Sequence, residues 1–493
     1  MSTVEFSSQT APAVSGSNTA APAQGGLSFL ALASLVVGSM VGGGVFFLPQ
    51  AFGQATGVLG AMIAWAISGT GMLMLALVFQ TLATRRADID TGIVGYVREG
   101  FGDYVGFLAI LAYWAGAVLG NVALLLLLQS TLGAYWLAFG DGNTIAAIVG
   151  ASAILWAFHA MLLCGVRQAA TLNMIVTAAK LVPILIFIAI AAWAIRPEVL
   201  LDNLAGPGGL TADALFAQLR NTMLITVFVF LGIEGASVYS RMARRRKDVG
   251  RATVLGFLSV LAMLICVTLL PYGVMPREEI AALHNPSMAG VLERLIGPSG
   301  ALFVSLGLAV SVLGAFLSWL LLSAEVLSSA SRSGVMPAFL GRENDKGAPE
   351  AALWITNGFA QIILLLTLFS HSTFRLAAEM AGAMGIIPYA LVAGFGVLVA
   401  ARGTAYASEP RVRRRDLLIS LVAMIYAGGM IYAGGLTYLL LALAFAPGTL
   451  LFIKQRQQSG QPVFRGAERW LAGIIAGLAV IAVGVLVGHG GFL

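Results

Sequence analysis

The run Phe228-Val-Phe-Leu231-Gly232-Ile-Glu234-Gly235-Ala-Ser-Val-Tyr239 sets one carboxylate between two glycines inside an apolar stretch. An acid at the centre of a membrane helix costs roughly 2.5 kcal/mol or more, so Glu234 must face a cavity or a partner. Beside Phe228 it suits a cation, through ion pairing and the face of the ring. The plainer reading is a structural acid bonded to backbone. A second run, Gly38-Ser-Met-Val-Gly42-Gly43-Gly44-Val-Phe46, holds four glycines in nine residues. Glycine in a helix interior costs up to about 1 kcal/mol relative to alanine, so this helix is weak or broken there. For most of the 59 glycines, close packing of helices is explanation enough. Backbone unwound at membrane depth is tolerated only where it is buried in protein or lines a cavity. Its N–H groups at the start of a half-helix favour a carboxylate, and its freed carbonyls favour an ammonium. Together they describe a receptor for the α-carboxyl and α-amino groups of an amino acid.

Other polar residues lie within apolar runs. Lys180, in Thr177-Ala-Ala-Lys180-Leu-Val-Pro183, is the one basic residue placed deep within a span. Two readings stand: an ammonium fixed where a metal cation could sit, or a side chain snorkelling to the nearby membrane face. Asn121, in Tyr113-Trp-Ala-Gly-Ala-Val-Leu-Gly120-Asn121, needs a partner, from a neighbouring helix or from a ligand. Trp319 and Glu325 lie six apart and point to different faces of their helix, Trp319 as packing or as a stacking surface. His159 reads as a satisfied core or boundary residue, and Cys164 and Cys266 as packed thiols. No HExxH motif, Ser/His pair or metal cluster suggests an enzyme, a cofactor or a metal. The glycines are no phosphate loop, because no strand precedes them and no Lys-Ser/Thr pair follows.

The elements that must position these residues are membrane helices. Of 493 residues, 59% are hydrophobic and 10% charged, and mean hydropathy is +0.91, far from the balance of soluble domains. Runs of about 20 apolar residues recur, each able to cross a core of about 30 Å as a helix, without the alternation of a barrel. Thirteen spans are expected: 28–52, 57–82, 105–135, 144–163, 171–195, 219–241, 252–275, 299–330, 352–370, 375–401, 417–433, 436–453 and 470–488. The eleventh and twelfth divide at Gly434-Gly435. The even-numbered loops and their edges carry 22 of the 28 lysines and arginines and the odd-numbered loops and their edges 5, which places the N-terminus in the cytoplasm. The basic runs 241–247 and 411–415 are then cytoplasmic anchors near anionic lipid, and nucleic acid is disfavoured as the partner. Residues 1–26, rich in Ser, Thr, Ala and Pro, lack the basic start of a signal peptide and read as a disordered cytoplasmic tail. The glycine-rich breaks fall in the first and sixth spans, the spacing of a pair of five-helix inverted repeats meeting at a midplane site.

The runs GSMVGGGVFFLPQ, YWAGAVLGN, FVFLGIEGASVYS, LSWLLLSAE and ALWITNG resemble the amino acid/polyamine/organocation superfamily, from about residue 27 to the C-terminus. They look most like its basic amino acid/polyamine antiporter branch, and within it the arginine/ornithine antiporters. The resemblance implies an all-α polytopic membrane protein of the leucine-transporter type with discontinuous helices 1 and 6. Residues 27–195 would form the first inverted repeat, 219–401 the second, and 416–488 three further helices. It implies capture of the substrate carboxylate at Gly42, Gly43 and Gly44 and of the amino group near Phe228 and Leu231. Asn121, Phe228 and Trp319 would contact or enclose the substrate, and Tyr113 and Glu234 would belong to a gate. In the similar arginine/agmatine antiporter, a serine matches Gly43 and a tryptophan matches Phe228. Lys180 resembles the lysine that replaces a sodium ion in proton-coupled members. The implied activity is exchange of external arginine for internal ornithine across the bacterial inner membrane. Lysine/diamine exchange, arginine/agmatine exchange and proton-coupled uptake are the alternatives. Relatives often form homodimers, a state that the residues leave open.

Overall fold

In a bilayer every backbone N–H and C=O must be paired within the protein, and a helix does this inside its own segment. The computed structural model accordingly shows apolar runs folded as helices, and it describes residues 29–89, 92–164, 167–233, 246–369, 373–406, 409–443 and 445–488. The helices are α1 (Phe29–Met40), α2 (Leu48–Ala55), α3 (Val58–Arg85), α4 (Ile93–Phe101), α5 (Asp103–Gly133) and α6 (Ile145–Leu163). Then come α7 (Arg167–Trp193), α8 (Pro197–Asp202), α9 (Ala212–Phe230), α10 (Arg246–Leu269), α11 (Arg277–Ala282) and α12 (Ser287–Ile296). The chain ends with α13 (Pro298–Arg332), α14 (Glu350–Leu366), α15 (Thr373–Arg402), α16 (Pro410–Leu443), α17 (Thr449–Gln458) and α18 (Ala467–Gly488). Among the described residues, nine helices are long and apolar enough to cross a membrane, and no strand forms. The tail expected over 1–26 lies outside the described residues.

Apolar on all sides, α5 is the most enclosed long helix, wedged against α13 and α15. Close approach depends on missing side chains. A Cβ on Gly314 of α13 would lie 2.0 Å from Val176 of α7, and one on Gly71 of α3 would lie 2.1 Å from the Tyr426 ring of α16.

The division expected at Gly434-Gly435 appears as a non-helical Gly435 (φ 72°, ψ −176°) within α16, a conformation open to glycine. The twelfth expected span, 436–453, is not one helix. Helix runs to Leu443, a 3-10 turn covers Ala446–Gly448, and α17 starts at Thr449, because Pro447 cannot donate the N–H a continuous helix needs. Short helices α4, α8, α11 and α12 were not expected. Cys164 needs correction: it caps the end of α6 and is exposed rather than packed.

Basic residues tie helix ends together on one face of the bundle. Asp103 receives Arg98 Nε at 2.6 Å and Arg456 Nη2 at 2.7 Å, while Arg98 Nη1 donates to the Ser333 carbonyl at 2.9 Å. Arg85 pairs with Glu409 and also reaches the Ala405 carbonyl. The ends of α3, α5, α13, α15 and α17 therefore share that face.

Candidate functional site

The first glycine cluster does break its helix. Helix α1 stops at Met40, Gly42 is extended (φ −114°, ψ −157°), and a 3-10 turn over Gly43–Phe47 leads into α2, whose start holds Pro49. Such a break leaves the last carbonyls of α1 and the first N–H groups of the turn without helical partners. One of the freed α1 carbonyls finds a side chain. The Gly38 carbonyl accepts from Lys180 Nζ, and Ser39 Oγ donates to the Val36 carbonyl and the Gly232 carbonyl, each at 2.9 Å.

The second cluster breaks too. Helix α9 ends at Phe230, Leu231 has turned to φ −57°, ψ 135°, and Gly232 takes φ 103°. A Cβ on Gly232 would sit 2.6 Å from the Ser39 carbonyl oxygen, so only glycine allows the two breaks to touch. Glu234 and Gly235 lie outside the described residues.

A narrow cavity of about 40 Å³ opens where the breaks meet. Six of the residues singled out in the sequence line it: Gly42, Gly43 and Gly44 from the first break, Phe228 and Leu231 from the second, and Trp319 from α13. Helix α5 closes it with Gly116, Gly120 and Leu124. The signal for this wall was Gly116 and Gly120, four apart and so on one helix face.

Asn121 is different. It is buried one residue beyond Gly120 but does not line the cavity, and among the described residues neither of its amide atoms has a partner. Tyr113 is buried one turn along α5 from Gly116. Lys180 is 1% exposed, so it does not snorkel to a membrane face; it holds α7 against the frayed end of α1. His159 is buried and bonded to Asn357 Nδ2 at 2.7 Å through Nδ1, within a ring cluster with Trp156 and Trp354.

Among the described residues, no ionisable side chain lines the cavity. Within that lining, helix-end polarity gives the backbone the charge it has to offer: N–H groups at the start of the 3-10 turn favour an anion, and carbonyls at the end of α9 favour a cation. The lining also explains glycine at 43. Its Cβ space is already taken by Val312 Cγ2 and Leu124 Cδ2, which a Cβ would meet at 2.7 and 2.8 Å. Phe228 and Val229 crowd Gly44 less closely, each 3.1 Å from that residue's Cβ position.

Comparison with known proteins gives these features a family. The amino acid permease model matches residues 27–450. The chain is 45% identical over 471 residues to an arginine/ornithine antiporter of Pseudomonas aeruginosa, an alignment covering 94% of this chain and 97% of that protein. It is 37% identical over 493 residues to an L-lysine transport protein of Corynebacterium glutamicum, covering 96% and 97% of the two chains. An arginine/agmatine antiporter of Chlamydia abortus is 35% identical over 471 residues, at 93% and 96% coverage. With breaks in its first and sixth apolar runs and a cavity between them, the chain belongs to the amino acid permease family.

Proposed function

We propose that this protein exchanges external arginine for internal ornithine across the inner membrane by alternating access, leaving both molecules chemically unchanged. The observation that carries the reading is the cavity at the joint of the two broken helices, lined by the glycines of the first break and by Phe228 and Leu231 of the second. Full-length similarity to an arginine/ornithine antiporter supports the substrate pair. Arginine and ornithine carry the same net charge near neutral pH, so one-for-one exchange is electroneutral.

In this reading Gly42, Gly43 and Gly44 hold the substrate carboxylate, and the carbonyls near Phe228 and Leu231 hold its ammonium. Phe228 and Trp319 enclose the side chain. Asn121, an amide without a described partner beside the cavity, turns to the substrate when the site rearranges. Tyr113 and Glu234 act in gating. Lys180 supplies the positive charge at the end of α1, which makes transport independent of sodium. Residues 27–195 and 219–401 act as two inverted repeats, 416–488 as added helices, and the arginine-rich face with the N-terminus is cytoplasmic.

The test is uptake of radiolabelled arginine into proteoliposomes loaded with ornithine, lysine, agmatine, cadaverine or buffer alone. The reading expects uptake with internal ornithine and little with buffer. Equal uptake into buffer-loaded, acid-outside vesicles would make the protein a proton-coupled permease.

A further inference from the structure

On the face opposite the arginine-rich one, the half-helix α2 is strapped down. Gln50 N bonds to Ser287 Oγ at 3.1 Å, and Arg277 Nη1 donates to the Gly53 carbonyl at 3.0 Å, both from the short helices α11 and α12. Gln54 Nε2 donates to the Ala281 carbonyl at 3.0 Å, and Gln54 Oε1 accepts from Arg375 Nη1 of α15 at 3.1 Å. Arg375 Nε in turn donates to Glu379 Oε1 at 2.6 Å.

Residues 375, 379 and 382 are spaced i, i+4, i+7 and share one face of α15. The stripe leads inward. The Arg375 side chain is 42% exposed and that of Glu379 is 12% exposed. Gly382 packs on the backbone of Leu224 and Phe228, and Phe228 lines the cavity. From Glu379 to Gly382 the helix rises only about 4.5 Å. Rings run the same way: Phe374 meets Phe47 edge-on at 4.7 Å, and Phe47 lies 6.2 Å from Phe228. An acid therefore stands about one helical turn outside the cavity, with a guanidinium of the protein itself in place. The pair adds little to the helix, because the favourable order along a helix is acid first and base second.

Resting on the exchange reading, we propose that Glu379 is a waiting site for the cationic side chain of an incoming basic amino acid, held meanwhile by Arg375 as an internal stand-in. A substrate guanidinium offers the same planar donors as Arg375, so it can take the place of Arg375 on the carboxylate. Once displaced, Arg375 loses its bond to Gln54, and α2, which continues directly from the cavity-lining glycines, loses one of its straps. Ornithine, with a point charge in place of a fork, displaces Arg375 less well, so this face prefers arginine.

The experiment is sided arginine uptake into oriented, ornithine-loaded proteoliposomes with the unaltered protein, Glu379→Gln and Arg375→Gln. Glu379→Gln is expected to raise KM for arginine at this face about tenfold, the size of one charge-assisted contact. Arg375→Gln removes the competitor and is expected to lower it several-fold. The half-saturating concentration of ornithine on the opposite face stays unchanged in both. A merely structural ion pair would move both variants in the same direction and on both faces, and that result overturns the proposal, as does an unchanged KM in Glu379→Gln. If Arg375→Gln does not fold, Arg375→Lys gives the same direction at smaller size, and an increase there counts equally against the proposal. Absence of uptake by the unaltered protein overturns the exchange reading and this proposal with it.

Discussion

Replacing Gly43 by alanine places a methyl carbon 2.7 Å from Val312 Cγ2, 2.8 Å from Leu124 Cδ2 and 3.2 Å from Leu127 Cδ2. Ordinary contact begins near 3.4 Å, so the first two gaps are short by 0.7 and 0.6 Å. The crowding side chains come from two helices, α13 and α5, so no single rotation relieves both contacts. Overpacking of this kind costs about 1–3 kcal/mol. If the cost falls on the conformation that binds substrate, affinity drops by about 5- to 150-fold, at about 1.4 kcal/mol per tenfold. Retreat of the 3-10 turn would also misplace the N–H groups of residues 42–44. Gly43→Ala should therefore raise KM for arginine uptake and lower the Tm of the purified protein. Val312→Ala removes the closest clashing atom, so the double variant should recover part of both losses, a coupling that a double-mutant cycle measures. The same KM and Tm in Gly43→Ala as in the unaltered protein, or losses that simply add in the double variant, would refute the reasoning.

Three further outcomes are expected. Gly232→Ala forces a side chain into φ 103° and to 2.6 Å from the Ser39 carbonyl, so it should cost more than about 1 kcal/mol and lower Tm, and an unshifted melting curve would contradict the contact between the breaks. Lys180→Met leaves the Gly38 carbonyl without its donor, at about 1–3 kcal/mol, while exchange by the unaltered protein should run equally fast in sodium and choline buffers; a sodium requirement would remove Lys180 from the role proposed for it. Trp319→Ala opens the cavity wall and should weaken arginine binding about tenfold or more, measured by scintillation proximity, and unaltered affinity would return Trp319 to packing.

What could be read in the sequence was mostly local. Four glycines in nine residues are a helix defect wherever they fall, and both the break at Gly42 and the turn at Gly232 sit where the glycines stand. The thirteen apolar runs follow from bilayer thickness, and each holds helix, with Gly435 dividing the eleventh from the twelfth. The partners of polar groups were not legible, because they come from distant parts of the chain. Lys180 bonds to a carbonyl 142 residues away, and Asp103 pairs with Arg456 353 residues away. Side-chain direction was equally hidden. Asn121 shares a motif with Gly120 yet misses the cavity, since adjacent helical positions differ by about 100°. Glu379 carries no signal in the sequence, because an acid near a span's end is unremarkable until its neighbours Arg375 and Gln54 are known.

The most direct test of the account follows both substrates at once in purified proteoliposomes, with arginine outside and ornithine inside carrying different radiolabels. The account predicts that each arginine entering releases one ornithine, that neither flux proceeds without the other, and that imposing a membrane potential changes neither rate. Arginine entry without ornithine release, or a flux ratio that shifts with membrane potential, would contradict it.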